Sequence, residues 1–131
     1  MNQLQPPTSS ALTIIGAGPI GLEAAAWAAA RNWDVVLFEK NNIGHHIRQW
    51  GHIKLFSPFH MNHSNWGPHL LIRAFPELIL PAESSCISGN EYVSSYLKPL
   101  SQLPELSKKI FLGTHVIQIG KEDLSKNKHI A

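Results

Sequence analysis

Apolar positions near the start of the chain form two short runs separated by an alanine-rich stretch. Residues 11–15 and residues 34–39 are rich in β-branched and other apolar side chains, which predicts two buried strands. Residues 19–31 begin with a proline and contain six alanines, which predicts a helix with a thin profile. The order strand, helix, strand predicts two parallel strands joined by a right-handed crossover.

The pattern is weaker in the middle of the chain. Residues 40–62 are rich in Gly, His, Asn and Pro, which predicts a loop. A short helix is predicted over residues 65–75, ended by Pro76, and residues 76–90 are again irregular.

Periodicity returns towards the end of the chain. Residues 91–103 place Tyr92, Tyr96 and Leu100 on one face, which predicts an amphipathic helix that Pro99 kinks or shortens. Residues 110–119 predict a third strand that is broken or bent near Gly113. Residues 1–10 are expected to be a disordered leader, and the chain ends in a polar, lysine-rich tail.

Composition narrows the class of protein. With 131 residues, 44% hydrophobic and 15% charged, the chain can form one small globular domain. A net charge of +2 does not indicate nucleic-acid binding, and the longest run of small apolar residues is far below the roughly 20 that span a membrane. The single cysteine, Cys86, cannot form an internal disulfide, which favours a reduced, cytoplasmic setting, and with no identified base it is expected to be an inert thiol.

The most informative chemistry lies between the first predicted strand and the helix, where Gly16, Gly18 and Gly21 form a G-x-G-x-x-G turn. In dinucleotide-binding units the first glycine permits the tight turn, the second lets the backbone approach a diphosphate, and the third lets the helix pack closely. The helix N-terminus offers free N–H groups to the phosphates, and Pro19 and Ile20 line that approach.

An acidic residue completes this pattern. Glu39 ends the second predicted strand, 18 residues after Gly21, close to the roughly 20 expected for a ribose-binding acid. Its carboxylate can accept both adenosine ribose hydroxyls and would repel the 2′-phosphate of NADP. The alternative is a glycine-rich turn in another kind of α/β domain, with Glu39 simply solvated.

The residues 16–25, GAGPIGLEAA, resemble the opening of flavoproteins with two dinucleotide-binding domains, such as flavin-containing monooxygenases and pyridine nucleotide-disulfide reductases. Residues 44–58, 88–97 and 114–120 are similar to stretches of FAD-dependent oxidoreductases of that group. The resemblance implies an α/β, Rossmann-like FAD/NAD(P)-binding domain, of which residues 11–131 would be the N-terminal, incomplete portion.

The resemblance also implies roles for individual residues. The first glycine-rich turn would hold FAD, with Glu39 and the adjacent Lys40 near the adenosine ribose. Arg48 is the candidate for a cationic contact to the diphosphate, although it could equally belong to a solvated patch. The strand around Val116 would meet the adenine through its backbone.

The chain also departs from these relatives. Gly44 is followed by His45 where many relatives have a glycine pair, and the redox cysteine pair of disulfide reductases is absent. A second glycine-rich motif for NAD(P)H and the late Gly-Asp motif are also missing from the sequence. NAD(P)H use is therefore implied only by the resemblance, and we expect the chain to be the first part of a longer protein or a truncated product.

Other candidate residues are less specific. His60, His63 and His69, with His52 nearby, have no clustered Cys, Asp or Glu, so packing or capping roles are favoured over a metal site. Four aromatic side chains could stack on a flavin, although core packing is the commoner fate of such residues; they are Trp50, Phe56, Phe59 and Trp66.

Three functions remain open from the sequence. The favoured one is the FAD-binding part of an FAD-dependent, NAD(P)H-linked oxidoreductase, with no catalytic residue identified. The alternatives are the NAD-binding module of a dehydrogenase and a non-catalytic flavoprotein fragment. Substrate, electron acceptor and oligomeric state are not predicted.

Overall fold

The computed structural model describes residues 12–121, and their order of elements confirms the predicted α/β class. Strand β1 is Leu12–Ile15, helix α1 is Pro19–Ala30 and strand β2 is Val35–Phe38. The two strands pair in parallel, with Leu12 opposite Val35 and Ile15 opposite Phe38. The disordered leader and most of the polar tail were predicted for residues outside the described range.

A third strand completes a small parallel sheet. Strand β3, Ile110–Phe111, pairs with β2, so the order of strands is β1-β2-β3 with β2 in the centre. Three of the four residues of the central strand are buried, namely Val35, Val36 and Leu37. This burial explains the apolar run in the sequence, because a central parallel strand has both faces covered.

The alanines of α1 determine how closely this helix approaches its neighbours. Leu22, Ala25, Ala26, Ala28 and Ala29 are all buried. Since an alanine side chain is a single methyl group, the helix axis can lie near the sheet and the helices on its other sides. Gly21 takes this close packing furthest: a Cβ atom there would overlap the carbonyl oxygen of Gly16.

The segment predicted as a loop, residues 40–62, contains a short helix, and this prediction was wrong there. Helix α2, His45–Gln49, begins after Gly44, whose φ of 65° lies in the left-handed region. Five residues are too few for a helical period to be visible, and a helix this short depends on tertiary contacts. Ile47 supplies one by lying buried in the core. A single 3-10 turn, Phe59–Met61, follows.

The prediction of a short helix before Pro76 is confirmed. Helix α3 is Gly67–Ala74, with Pro68 in its first turn and Leu71 buried. Residues 76–88 have no helix. Backbone hydrogen bonds join them to residues 55–60, and an isolated bridge pairs Ser88 with Lys54.

The predicted helix over residues 91–103 exists with altered boundaries. It is a composite of α4 (Gly89–Tyr92), a π-helical turn (Val93–Leu97) and α5 (Lys98–Ser101). Ser88 caps it by accepting a hydrogen bond from the amide of Glu91 at 3.1 Å. The π-helical turn ends two residues before Pro99 and contains Ser95, whose carbonyl would clash with the proline ring in a regular α-helix. A wider turn at this place relieves that clash. The helix therefore continues past Pro99 instead of ending there.

The prediction of a strand over residues 110–119 was correct only for its first two residues. Gly113 adopts a φ of 60° and turns the chain away from the sheet. The amide of Thr114 then donates to the Glu39 carbonyl at 2.9 Å, outside the regular ladder. Ile117 and Ile119 are 87% and 78% exposed, so their β-branched side chains reflect local propensity without burial.

Two tyrosines anchor the composite helix in the core. Tyr92 and Tyr96 stack with ring centroids 6.0 Å apart, and both are buried. Burial and the nearby Glu23 carboxylate raise the pKa of Tyr92 to about 12. Burial and a hydrogen bond to Glu23 raise the pKa of Tyr96 well above its usual value.

We predict that substituting Gly21 with alanine destabilises the fold by about 1–3 kcal/mol, the usual range for overpacking, because the new methyl group overlaps the Gly16 carbonyl. Urea denaturation measures the change. Gly18→Ala is the matched control: its Cβ has nothing within 4 Å, so unfolding free energy should change by about 0.5 kcal/mol or less. Equal losses in the two variants would contradict the packing account.

We also predict that stability falls at high pH. The unfolded chain ionises its tyrosines near pH 10, whereas folded Tyr92 ionises near pH 12. The stabilisation is therefore complete below pH 10 and is lost as pH rises through the folded value. Because the chain has only 2 tyrosines, phenolate absorbance reports on this pair alone. Native protein that titrates like unfolded protein would show that the rings are not buried.

Candidate functional site

The turn between β1 and α1 leaves backbone donors without acceptors. Gly16 has a φ of 103°, which only glycine adopts easily, and Gly18 precedes the helix with no side chain to cap it. The amides of Gly18, Ile20 and Gly21 have no acceptor among residues 12–121. The twelve-residue helix α1 therefore presents free N–H groups and the positive end of its dipole at this turn.

The structure brings Glu39 to the same turn, as the strand pairing requires. β1 and β2 end side by side, with the Gly16 amide donating to the Phe38 carbonyl at 2.8 Å. The Glu39 carboxylate accepts hydrogen bonds from the amides of Ala17 at 3.0 Å and Asn41 at 2.5 Å. Each oxygen uses one acceptor position in this way, and a carboxylate has about four in total. Glu39 can thus accept further hydrogen bonds from a sugar.

The other predicted cofactor contacts are placed less directly. Lys40 is exposed beside Glu39. Arg48 lies on the exposed side of α2, where it lines a cleft of about 460 Å³ together with Lys98 and His45. The lining of this cleft does not include Pro19 or Ile20, and a contact of Arg48 with a diphosphate stays a prediction.

Val116 lies outside any strand. It is half-buried, five residues beyond the end of β3. The expectation that it belongs to a strand was wrong, because the turn at Gly113 diverts the chain. Its contact with an adenine stays a prediction.

A cavity of about 570 Å³ adjoins the glycine-rich turn. Its lining includes Pro19 and Ile20 of α1, Ile47 of α2, Trp50 just after α2, and the segment 61–64. Its lining is mostly apolar, with a few polar groups, which is the usual composition of a small-molecule pocket. The cavity and the free amides together form the candidate site.

Sequence reasoning missed several residues of this cavity. Glu23 follows Pro19 by four positions and Ile20 by three, so helical spacing alone could have placed all three on one face. Asn62, Ser64 and Tyr92 also line the cavity, but they come from distant parts of the chain. No local pattern in the sequence signals their approach.

Glu23 holds several of these elements together. Its carboxylate accepts hydrogen bonds from the Ser64 hydroxyl at 2.6 Å, from the Ser64 amide at 3.2 Å and from the Tyr96 hydroxyl. The Tyr92 hydroxyl donates to the Asn62 carbonyl at 2.6 Å. The polar side of the cavity is therefore linked to both α1 and the composite helix.

The candidate metal-binding histidines are dispersed. His63 contacts the Ser64 carbonyl and the Glu83 carboxylate, at 2.6 and 2.8 Å, and its ring packs at a tilt against Phe59. His60 and His69 are exposed. Within residues 12–121, no group of three or more His, Cys, Asp or Glu side chains is arranged to hold a metal ion.

The four aromatic candidates have different environments. Phe59 is fully buried and Trp66 packs against the core, which is the core packing that the sequence analysis favoured. Trp50 is 37% exposed and lines the cavity, which leaves it available to a flat ligand. Phe56 is fully exposed and contributes to neither the core nor this cavity.

The thiol of Cys86 is exposed, and its sulfur lies 4.0 Å from the Phe56 carbonyl oxygen.

Comparison with solved structures supports the fold. OTEMO in complex with FAD and NADP matches with a TM-score of 0.57 and 19% identity, over 86% of this chain and 20% of that one. Oxidized steroid monooxygenase bound to NADP matches with a TM-score of 0.59 and 17% identity, over 81% and 20%. Bacillithiol disulfide reductase from Staphylococcus aureus matches with a TM-score of 0.54 and 21% identity, over 78% and 28%.

These matches define how much of such a protein the chain represents. It spans about a fifth of the length of the monooxygenase chains. No curated protein sequence matches the chain significantly. In the described part of the chain, none of the helices has the length and apolar character needed to cross a membrane.

A family model supplies the assignment that the structures at this level of identity do not. The model of the pyridine nucleotide-disulphide oxidoreductases matches residues 13–128, which includes the glycine-rich turn, Glu39 and every wall of the cavity. The chain therefore belongs to the pyridine nucleotide-disulphide oxidoreductase family.

Proposed function

We propose that this chain is the FAD-binding part of an FAD-dependent oxidoreductase, within an N-terminal Rossmann-like portion covering residues 11–131. The observation that carries the proposal is a set of amides without an acceptor in the described residues 12–121, those of Gly18, Ile20 and Gly21, beside the carboxylate of Glu39. Unpaired donors at a helix N-terminus bind phosphate groups well. The space for a ligand also exists, because a Cβ atom on Gly18 would have nothing within 4 Å.

The parts of FAD match the parts of the site. The diphosphate would accept hydrogen bonds from the free amides, and the adenosine ribose would donate to Glu39, with Lys40 nearby. The apolar cavity beside Pro19 and Ile20 would take the ring system, with Trp50 as a flat surface. When bound, FAD supplies two-electron redox chemistry, while the protein binds, orients and shields it.

The larger protein would also use NAD(P)H, as the family name indicates, although this chain carries a single glycine-rich motif. With one cysteine, the chain cannot form a redox disulfide within itself.

We propose a cytoplasmic location, because a single cysteine without a disulfide partner in the chain suits a reducing compartment. Its ligand is a dinucleotide, and the net charge of +2 gives no reason to propose nucleic acid.

The competing function is an NAD-binding module of a dehydrogenase, which uses the same kind of turn. FAD and NAD share the adenosine diphosphate, so the two functions differ in the ring that enters the cavity. Titrating the purified protein with FAD and, separately, with NADH distinguishes them. Retention of yellow flavin with weak NADH binding supports our proposal, whereas tight NADH binding to a colourless protein contradicts it.

We predict that Gly18→Val weakens FAD binding at least about tenfold, equivalent to about 1.4 kcal/mol, because its side chain occupies the space of the diphosphate. Flavin fluorescence quenching measures the affinity. Cys86→Ala is the control and should bind like the wild type, since Cys86 is exposed and does not line the cavity. Full FAD occupancy in the valine variant would show that the diphosphate binds elsewhere.

We predict that Glu39→Gln weakens FAD binding by about 10- to 100-fold, the cost of losing charged hydrogen bonds to the ribose. Inorganic pyrophosphate, which has no ribose, should bind this variant as well as the wild type or better, because a negative charge is removed. Isothermal titration with both ligands provides the comparison. An equal loss for FAD and pyrophosphate would mean that the substitution acts by disturbing the turn.

A further inference from the structure

One side of the cavity is an irregular segment whose position depends on side chains. Residues 61–64 start at the last residue of the 3-10 turn Phe59–Met61, and residues 62–64 belong to no helix or strand. All four of them line the cavity. We call residues 61–64 the wall segment. Without a regular backbone ladder, such a segment keeps one position only if other groups hold it.

Glu23 is the group that ties the wall segment to α1. Both of its carboxylate oxygens accept hydrogen bonds from Ser64, one from the hydroxyl at 2.6 Å and one from the amide at 3.2 Å. The Tyr96 hydroxyl donates to the same carboxylate, on the oxygen that also accepts from the Ser64 amide. Three donors from two segments that are distant in sequence thus converge on one carboxylate in the second turn of α1.

The surrounding residues leave room for this arrangement and little else. The Ser64 hydroxyl also accepts a hydrogen bond from the Gly67 amide at 2.8 Å, at the start of α3. A Cβ atom on Gly67 would overlap the Tyr96 hydroxyl and lie 3.1 Å from the Glu23 carboxylate. Glycine at position 67 therefore lets α3, the wall segment and the composite helix meet at Glu23.

If the contact were purely structural, a carboxylate would be an unfavourable residue here, because its charge is partly removed from water. Glu23 is half-buried, and within residues 12–121 it forms no ion pair, so the neutral donors of Ser64 and Tyr96 hold it. Charges held in this way cost desolvation energy, and apolar residues often stabilise a fold equally well. The position of Glu23 on the cavity surface, next to Pro19 and Ile20, points to a role in the site.

We propose that Glu23 is a positioning residue that, through Ser64 and Tyr96, holds the wall segment in place against the ring system of a bound dinucleotide. This inference rests on the proposed FAD-binding function. Glu23 itself need not contact the ligand. Its effect is to fix the wall segment relative to the amides that bind the diphosphate.

Two substitutions of Glu23 separate hydrogen bonding from charge. In Glu23→Gln, the amide oxygen can accept from Tyr96 and the Ser64 amide, and the NH₂ group can donate to the Ser64 hydroxyl. Glu23→Ala removes every acceptor. Glu77→Ala is the matched control, because Glu77 is an exposed carboxylate outside the cavity. Ser64→Ala serves as a milder variant if Glu23→Ala fails to fold.

The full-length chain is measured in two ways. Hydrogen exchange without ligand reports whether the amides of Ser64 and Gly67 stay protected. FAD titration gives the affinity, and visible circular dichroism of the bound flavin reports the environment of its ring. We expect Glu23→Ala to lose this protection, to bind FAD about tenfold or more weakly and to alter the dichroism. Glu23→Gln should stay within about threefold of wild type with an unchanged spectrum.

The outcomes are distinguishable. Wild-type affinity and dichroism in Glu23→Ala, or in Ser64→Ala where that variant replaces it, would overturn the positioning role. So would a Glu23→Gln variant as impaired as Glu23→Ala, because its hydrogen bonds would then not be the cause. Failure of the wild-type chain to bind FAD would instead overturn the proposed function, and the inference that rests on it.

Discussion

The parallel pairing of β1 with β2 is the constraint on which the site depends. It places the end of Ile15 beside Phe38, so the glycine-rich turn and the acid that follows β2 must emerge at the same edge of the sheet. Three residues separate the end of β1 from the start of α1. The amides at this helix start face the same edge and have no acceptor among the residues that the structure describes. Free amides and a carboxylate thus meet because of backbone topology, before any side chain of the cavity is considered.

Close packing of α1 maintains this geometry. Its alanines and Gly21 let the helix lie against the sheet, and the carbonyl of Gly16 occupies the space that a larger residue at position 21 would need. The opposite requirement holds at Gly18, where the space above the backbone is open. The three glycines of one motif therefore serve different needs: Gly16 for conformation, Gly21 for packing, and Gly18, in our proposal, for a ligand.

Local patterns predicted the parts of this structure that local physics determines. The strand runs, the alanine helix and the acid at position 39 each leave a signal within a few residues, and the structure confirms their places. Helix α2 was missed because five residues carry no period, and β3 was overestimated because the turn at Gly113 outweighs the strand propensity of Val116 and Ile117. The contacts of the wall segment could not be predicted from the sequence, because Ser64 and Tyr96, which bond to Glu23, are 41 and 73 residues away from it along the chain.

The central claim is that the free amides of α1 bind the diphosphate of a dinucleotide. Titrating isotope-labelled protein with FAD, while following backbone amide resonances by NMR, tests it most directly. The account predicts that the largest shifts belong to the amides of Gly18, Ile20 and Gly21, with smaller shifts along the cavity. Saturating FAD that leaves these three resonances in place, while others move, would contradict it.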